Sequence, residues 1–177
     1  YGSADAAVFG QVADVLMLNA YGNRQFGPHW NAESLRRVRA ESDPHPVVPL
    51  AEAFVLPIAQ AHFEGWSRTL SGDEVSCSTW SEVGEGAKGI VYYTSRVARA
   101  PGSGFYYDEN PDVRRAVRRD NARLQLLRHF LCIGDTLDGA AHADGATAKA
   151  LLCGDKGMVV LALNPPSLAF KGARPVW

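Results

Sequence analysis

Three short apolar runs separated by amphipathic segments set the pattern of the first two thirds of the chain. The runs cover residues 13–21, 47–54 and 89–95, and turn-forming residues bound each of them. Continuous apolar runs of this length are typical of strands buried on both faces, as in a parallel sheet. Pro49 lies within the second run and has no amide proton for a sheet ladder, so the pairing of that strand is left open.

The segments between these runs carry apolar residues at helical spacing and clear helix starts. Asn31 is expected to cap a helix over residues 32–42, and Ser71 opens an S-x-x-E capping box. Asn110, followed directly by proline, starts a third helix that its apolar positions extend to about residue 132. Strands that alternate with helices predict βα units and an α/β fold with a parallel sheet.

The end of the chain has a different pattern. Residues 149–153 and 158–164 are two β-type runs separated by Gly-Asp-Lys-Gly, which predicts an antiparallel hairpin. The small and polar residues 135–145 before it predict a linker. The hairpin therefore does not continue the βα repeat and marks a second unit.

Composition excludes several classes of protein. The chain has 177 residues, of which 46% are hydrophobic and 21% charged, so a packed core is expected and general disorder is not. A formal net charge of −1 argues against a general nucleic-acid binder, and no apolar stretch is long enough for a membrane span. The three cysteines stand far apart without a CxxC pair, which excludes a zinc ribbon or thioredoxin motif.

Three βα units are fewer than a closed barrel requires, since an eight-unit barrel needs roughly 250 residues. An open piece would leave two sheet edges with unpaired backbone groups. We therefore expect this chain to be the C-terminal part of a longer protein, with a missing N-terminal barrel half before Tyr1. On this interpretation the isolated chain is expected to be inactive.

Three segments carry a family resemblance: ADVLMLNAY (13–21), HPVVPLAEAF (45–54) and WSEVGEGAKGIVYYTSR (80–96). Together they resemble the final third of the (β/α)8 barrel of glycoside hydrolases and glycosidase-like proteins. The resemblance implies a partial TIM barrel, its last three βα units, over residues 1–134. It also implies that the antiparallel hairpin begins a β-sandwich over residues 146–177.

The same resemblance implies a carbohydrate substrate and a catalytic role for Glu52, which lies near the end of the second run. In the large retaining clan of these barrels, that position carries the nucleophilic carboxylate. Retaining hydrolysis needs a second carboxyl group about 5–5.5 Å away, and the resemblance puts this acid/base before Tyr1. No metal or organic cofactor is implied.

Four further residues are expected to contact the sugar. Asn19 and Tyr21 share one strand face and would bind hydroxyl groups at the strand end. Trp66 would supply a flat aromatic ring, which stacks on the apolar C–H face of a sugar, and Tyr93 would line the pocket. Because Tyr92 and Tyr93 point to opposite faces, Tyr92 is expected to pack under the last helix.

The residues alone leave other interpretations open. Glu52 is also compatible with a sugar contact or with a structural ion pair, and a non-catalytic carbohydrate-binding barrel protein would keep the same aromatic residues. His62 with Glu64 would suit a hydrolase that uses a metal, although no HxH or HExxH spacing supports it. The arginines of helix 110–132 are explained by a solvated outer face, so no nucleic acid partner is expected.

Overall fold

The computed structural model describes residues 3–20, 27, 29–42, 45–53, 70–93, 110–144 and 146–164. In chain order its elements are α1 (Ser3–Gly10), β1 (Leu16–Leu18), α2 (Trp30–Ser42), β2 (Val47–Glu52), α3 (Gly72–Gly84), β3 (Val91–Tyr93), α4 (Pro111–Leu131), β4 (Asp135–Leu137), β5 (Thr147–Leu152) and β6 (Met158–Leu163). A 3-10 helix, Gly154–Lys156, joins the last two strands. None of the described helices is long and apolar enough to cross a membrane.

The first three strands form a parallel sheet with β2 in the centre. Leu16 pairs with Val47 on one side of β2, and Leu50 pairs with Val91 on the other. The apolar runs of the sequence therefore predict all three strands correctly, although each observed strand is shorter than its run. Alternation along the backbone gives the sheet two faces, one of which the helices cover.

Helices α2, α3 and α4 supply the apolar side chains that cover this face. Leu35 of α2 packs with Val47, Leu16 and Leu18, while Val75 of α3 packs in a second cluster. The other members of that second cluster are Ala53, Leu70, Val113 and Val117, with half-buried Tyr92 against them. On the opposite face, Met17 is 62% exposed and Val91 39%, so no helix of the described residues covers it.

Strands β4, β5 and β6 form a separate antiparallel sheet in sequence order. Its inner face packs on α3 and α4 in a third cluster, in which Leu151 and Cys153 meet Trp80 and Val83. Trp80 is 8% exposed and belongs to the core. The chain is therefore a mixed α/β structure in which helices separate two sheets of different type.

The predicted fold class, a partial TIM barrel followed by a hairpin, is wrong. The observed structure has a three-stranded parallel sheet and a distinct three-stranded antiparallel sheet. The supposed linker contains β4, in which Asp135 pairs with Leu152 and Leu137 with Ala150. A three-residue Asp-Thr-Leu strand has no periodicity of its own, and its pairing with β5 makes it a strand.

Pro49 occupies the central strand of the parallel sheet and is fully buried. The Val47 carbonyl accepts from Lys88 N, and Ala53 N donates to the Tyr93 carbonyl, so odd-numbered residues of β2 face β3. The missing proton of Pro49 therefore lies on the β3 side, one step before the pairing of Leu50 with Val91 begins. The sheet tolerates the proline because the ladder to β3 starts after it.

Two of the three predicted helix caps are confirmed. Ser71 accepts from Glu74 N at 3.2 Å while its own amide donates to the Glu74 carboxylate at 2.8 Å, which completes the capping box. Asn110 caps α4 through the amides of residues 112 and 113. Asn31 is not a cap, because α2 begins at Trp30 and Asn31 is buried within it.

A buried polar cluster joins α3 to α4. Asp120 of α4 is 0% exposed and accepts hydrogen bonds from Trp80 Nε1, at 3.1 Å, and from Ser76 Oγ. Arg119 donates to Ser76 Oγ at 2.7 Å, and its guanidinium lies 3.7 Å from Asp120. A buried carboxylate is tolerated only when it is paired and hydrogen-bonded in this way.

Replacing Asp120 with alanine should therefore destabilise the protein strongly. The change leaves the Trp80 indole N–H buried without its acceptor, so we expect the free energy of unfolding to fall by about 3 kcal/mol. Urea denaturation at neutral pH measures this change in the free energy of unfolding. The control is Asp155→Ala, in the exposed 3-10 turn, which should change stability by less than about 0.5 kcal/mol. Equal stabilities for the two variants would contradict the role of the cluster.

Candidate functional site

The three parallel strands end at one edge of their sheet, and two polar residues stand at this edge. Glu52 is the last residue of β2 and pairs in register with Tyr93, the last residue of β3. In open α/β sheets, ligands bind in the crevice outside the carboxyl ends of the strands. Glu52 and Tyr93 are therefore the centre of the candidate site.

Both side chains belong to the sheet face opposite the one that the described helices cover. Residues 51 and 92, which precede them, are paired, and Tyr92 packs against the helix-side cluster. Since successive side chains alternate, Glu52 and Tyr93 project to the other side. Tyr92 is bound into the core, with its hydroxyl 3.2 Å from Thr79 Oγ1. Burial raises the pKa of Tyr92 to about 12.

Glu52 is 4% exposed, although it lies at a strand end. A carboxylate sheltered from water interacts more strongly with any charge or dipole brought close to it, because the local dielectric constant is low. Its neighbour Tyr93 is half-buried and supplies an aromatic ring. The pair therefore combines one strong acceptor with one flat apolar surface.

The other predicted sugar contacts are only partly within the described residues. Asn19 is exposed and directly follows β1. It therefore lies at the same edge of the parallel sheet as Glu52 and Tyr93. Tyr21 and Trp66 lie outside the described residues, as do His62 and Glu64. The structure thus brings Glu52 next to Tyr93 and leaves the remaining assignments as predictions.

Metal ligation is a separate question from the carboxylate chemistry. In the ranges that the structure describes, no group of three or more His, Cys, Asp or Glu side chains could hold a metal ion. His129 and His142 are exposed, and the His142 ring lies 3.2 Å from Asp144. Neither histidine lies on a strand of the parallel sheet.

Another buried carboxyl group, Glu82, lies inside α3 and was not singled out from the sequence. Glu82 is 0% exposed, and Ser78 Oγ donates to its Oε1 at 3.3 Å. Burial raises the pKa of Glu82 to about 8, and hydrogen bonds from Asn31 and Ser78 offset part of that rise. The sequence does contain a signal for this burial. Glu82 follows Val75 by seven residues and therefore lies on the same core-facing side of the helix.

Comparison with known proteins adds no relative. No family model, no curated protein and no solved structure matches this chain. The resemblance to glycoside hydrolases therefore stays a prediction, and the functional conclusion rests on the geometry of the carboxyl edge.

Glu82 should make stability depend on pH. Because burial favours the protonated acid, the native protein retains a proton that the unfolded chain releases above about pH 4.5, up to the native pKa of about 8. Stability contributed by this group is thus present at low pH and is lost as the pH rises through that window. Glu82→Gln imitates the neutral acid and removes the effect.

Urea denaturation of both proteins between about pH 5 and about pH 8 measures this difference. The advantage of Glu82→Gln over the wild type should grow by roughly 1 kcal/mol for each pH unit. The other titrating groups contribute equally to the unfolding free energy of both proteins, so their contributions cancel in the difference. A difference that stays constant with pH would show that Glu82 ionises at its ordinary pKa.

Proposed function

We propose that the carboxyl edge of the parallel sheet binds carbohydrate and that Glu52 is the nucleophile of a retaining glycoside hydrolase. The observation that supports this proposal is the pairing of Glu52 with Tyr93 at the strand ends, on the face that none of the described helices covers. A carboxylate attacks or hydrogen-bonds the sugar, and an aromatic ring binds its apolar C–H face. The two groups together suit a sugar better than they suit a fully apolar ligand.

In the proposed reaction, the Glu52 carboxylate attacks the anomeric carbon and forms a glycosyl ester. The bond to the leaving oxygen breaks, and a second carboxylic acid gives that oxygen a proton. Water then attacks the same carbon, transfers a proton to the second carboxylate and releases Glu52. Two inversions at one carbon give net retention of configuration.

A second candidate is binding of carbohydrate without hydrolysis. It is favoured by one observation: among the described residues, Glu52 is the only carboxylate that ends a strand of the parallel sheet. Hydrolysis with retention needs two carboxyl groups, whereas binding needs one acceptor and one ring. Turnover is therefore the property that separates the two candidates.

Hydrolysis of activated aryl glycosides by the natural full-length protein tests the role of Glu52. We expect Glu52→Gln to lower the rate by on the order of a thousandfold or more, as when other enzymes lose a nucleophile. The charge-matched control, Asp155→Asn in an exposed turn, should retain the wild-type rate. A wild-type rate in Glu52→Gln would contradict the proposal.

A rescue experiment separates a nucleophile from a structural carboxylate. In Glu52→Ala, added azide should take the vacated position and form a glycosyl azide of inverted anomeric configuration. Azide would not repair a folding defect. Turnover by Glu52→Ala without any glycosyl azide product would therefore argue against Glu52 as the nucleophile. Saturable sugar binding by the natural full-length protein without any turnover would support the second candidate.

A further inference from the structure

An open groove of about 460 Å³ lies between α4 and β6, far along the chain from Glu52. Trp80 and Leu127 line its apolar base, while Arg123 and the 79% exposed Leu126 stand on the helix side. The opposite wall is formed by residues 160–163 of β6. Arg123 is the only charged side chain among these lining residues.

Four consecutive residues of β6 line the groove, and this shows how it is oriented. A groove under one face of a strand would contact every second residue, because side chains alternate. Contact with residues 160, 161, 162 and 163 in turn means that the groove runs along the edge of the strand. Strand β6 pairs with β5 on its other side and ends the sheet within the described ranges.

The hydrogen bonds between β5 and β6 show which backbone groups of β6 point toward the groove. Cys153 N donates to the Gly157 carbonyl at 2.8 Å, so the odd-numbered residues of β6 bond to β5. The alternate residues Met158, Val160 and Ala162 therefore direct their N–H and C=O groups away from β5. The groove thus offers a ladder of backbone donors and acceptors beside an apolar base.

The six residues of β6, MVVLAL, lack the charged side chains and prolines that protect many edge strands. An added strand would satisfy the outward backbone groups of β6 and bury Val160, which is 54% exposed. The groove is therefore suited to an extended chain and not to a compact ligand.

The positive charge of α4 favours a different protein over a second copy of this chain as the partner that binds the groove. Helix α4 carries six arginines against two aspartates, a difference of +4, and one of these aspartates, Asp120, is buried. A second copy paired through β6 would bring its own arginine-rich α4 close to the first, which like charges oppose. A segment with carboxylates would instead be attracted to Arg123, whose side chain is 56% exposed although its guanidinium also lies 3.9 Å from the buried Asp120.

We propose that the groove between α4 and β6 binds an extended segment of a partner protein in which apolar and acidic residues alternate. The segment adds a fourth strand to β6 through the outward backbone groups of Val160 and Ala162. Its apolar side chains pack on Trp80 and Leu127, and an acidic side chain faces Arg123. This proposal is independent of the activity assigned to Glu52.

The probe for the experiment is a fluorescein-labelled peptide of alternating valine and glutamate, with lysine in place of glutamate in the control peptide. Fluorescence anisotropy should show saturable binding of the glutamate peptide to the whole chain. Ala162→Pro should weaken it by about tenfold, because one outward N–H is lost and the ring blocks the edge. Ala162→Val keeps that N–H and should bind within about twofold of wild type.

Ala162→Pro is suitable because its N–H does not bond to β5, so the sheet should retain its thermal unfolding profile. Arg123→Gln should weaken binding of the glutamate peptide by about three- to fivefold and should not weaken binding of the lysine peptide. Equal binding to Ala162→Pro and wild type, or the absence of saturable binding, would overturn the proposal. Dimers in sedimentation that Ala162→Pro abolishes would also overturn it, in favour of a second copy.

Discussion

The burial of α3 is the constraint on which the rest of the structure depends. Ten of its thirteen residues are buried, yet the helix is rich in serine, threonine and glutamate. Because α2, α4, β2, β5 and β6 surround it, its polar groups must find partners inside the protein. Asp120 accepts from Ser76 and Trp80, and Thr79 contacts Tyr92, so each partner is held in one position.

The same helix joins the two sheets and thereby sets both candidate binding sites. Its N-terminal half packs through Val75 on the parallel sheet, which positions the strand that ends at Glu52. Its C-terminal half packs through Trp80 on the antiparallel sheet and lines the groove beside β6. An ion pair between Glu85 and Lys149, at 2.6 Å, strengthens this second contact.

Much of the local structure could be predicted, because local signals determine it. The capping box at Ser71 and the Asn-Pro start at residue 110 satisfy helix ends with neighbouring atoms, so they are visible in the sequence. Strand β4 depends on pairing with β5, and the burial of Asn31 depends on α2 packing against α3, so neither has a local signal. Three βα units likewise do not determine how a sheet closes, and the barrel interpretation failed there. For the site, the apolar run placed Glu52 within two residues of a strand end, whereas its chemistry remains a prediction.

Native-state hydrogen exchange tests most directly whether α3 unites the two sheets. The slowest amides of α3, of β2 and of β5 should exchange with the same free energy of opening, and should respond equally to added denaturant, because no part opens without the others. Exchange of the β5 amides through a separate opening of lower free energy, while α3 and β2 stay protected, would contradict this account.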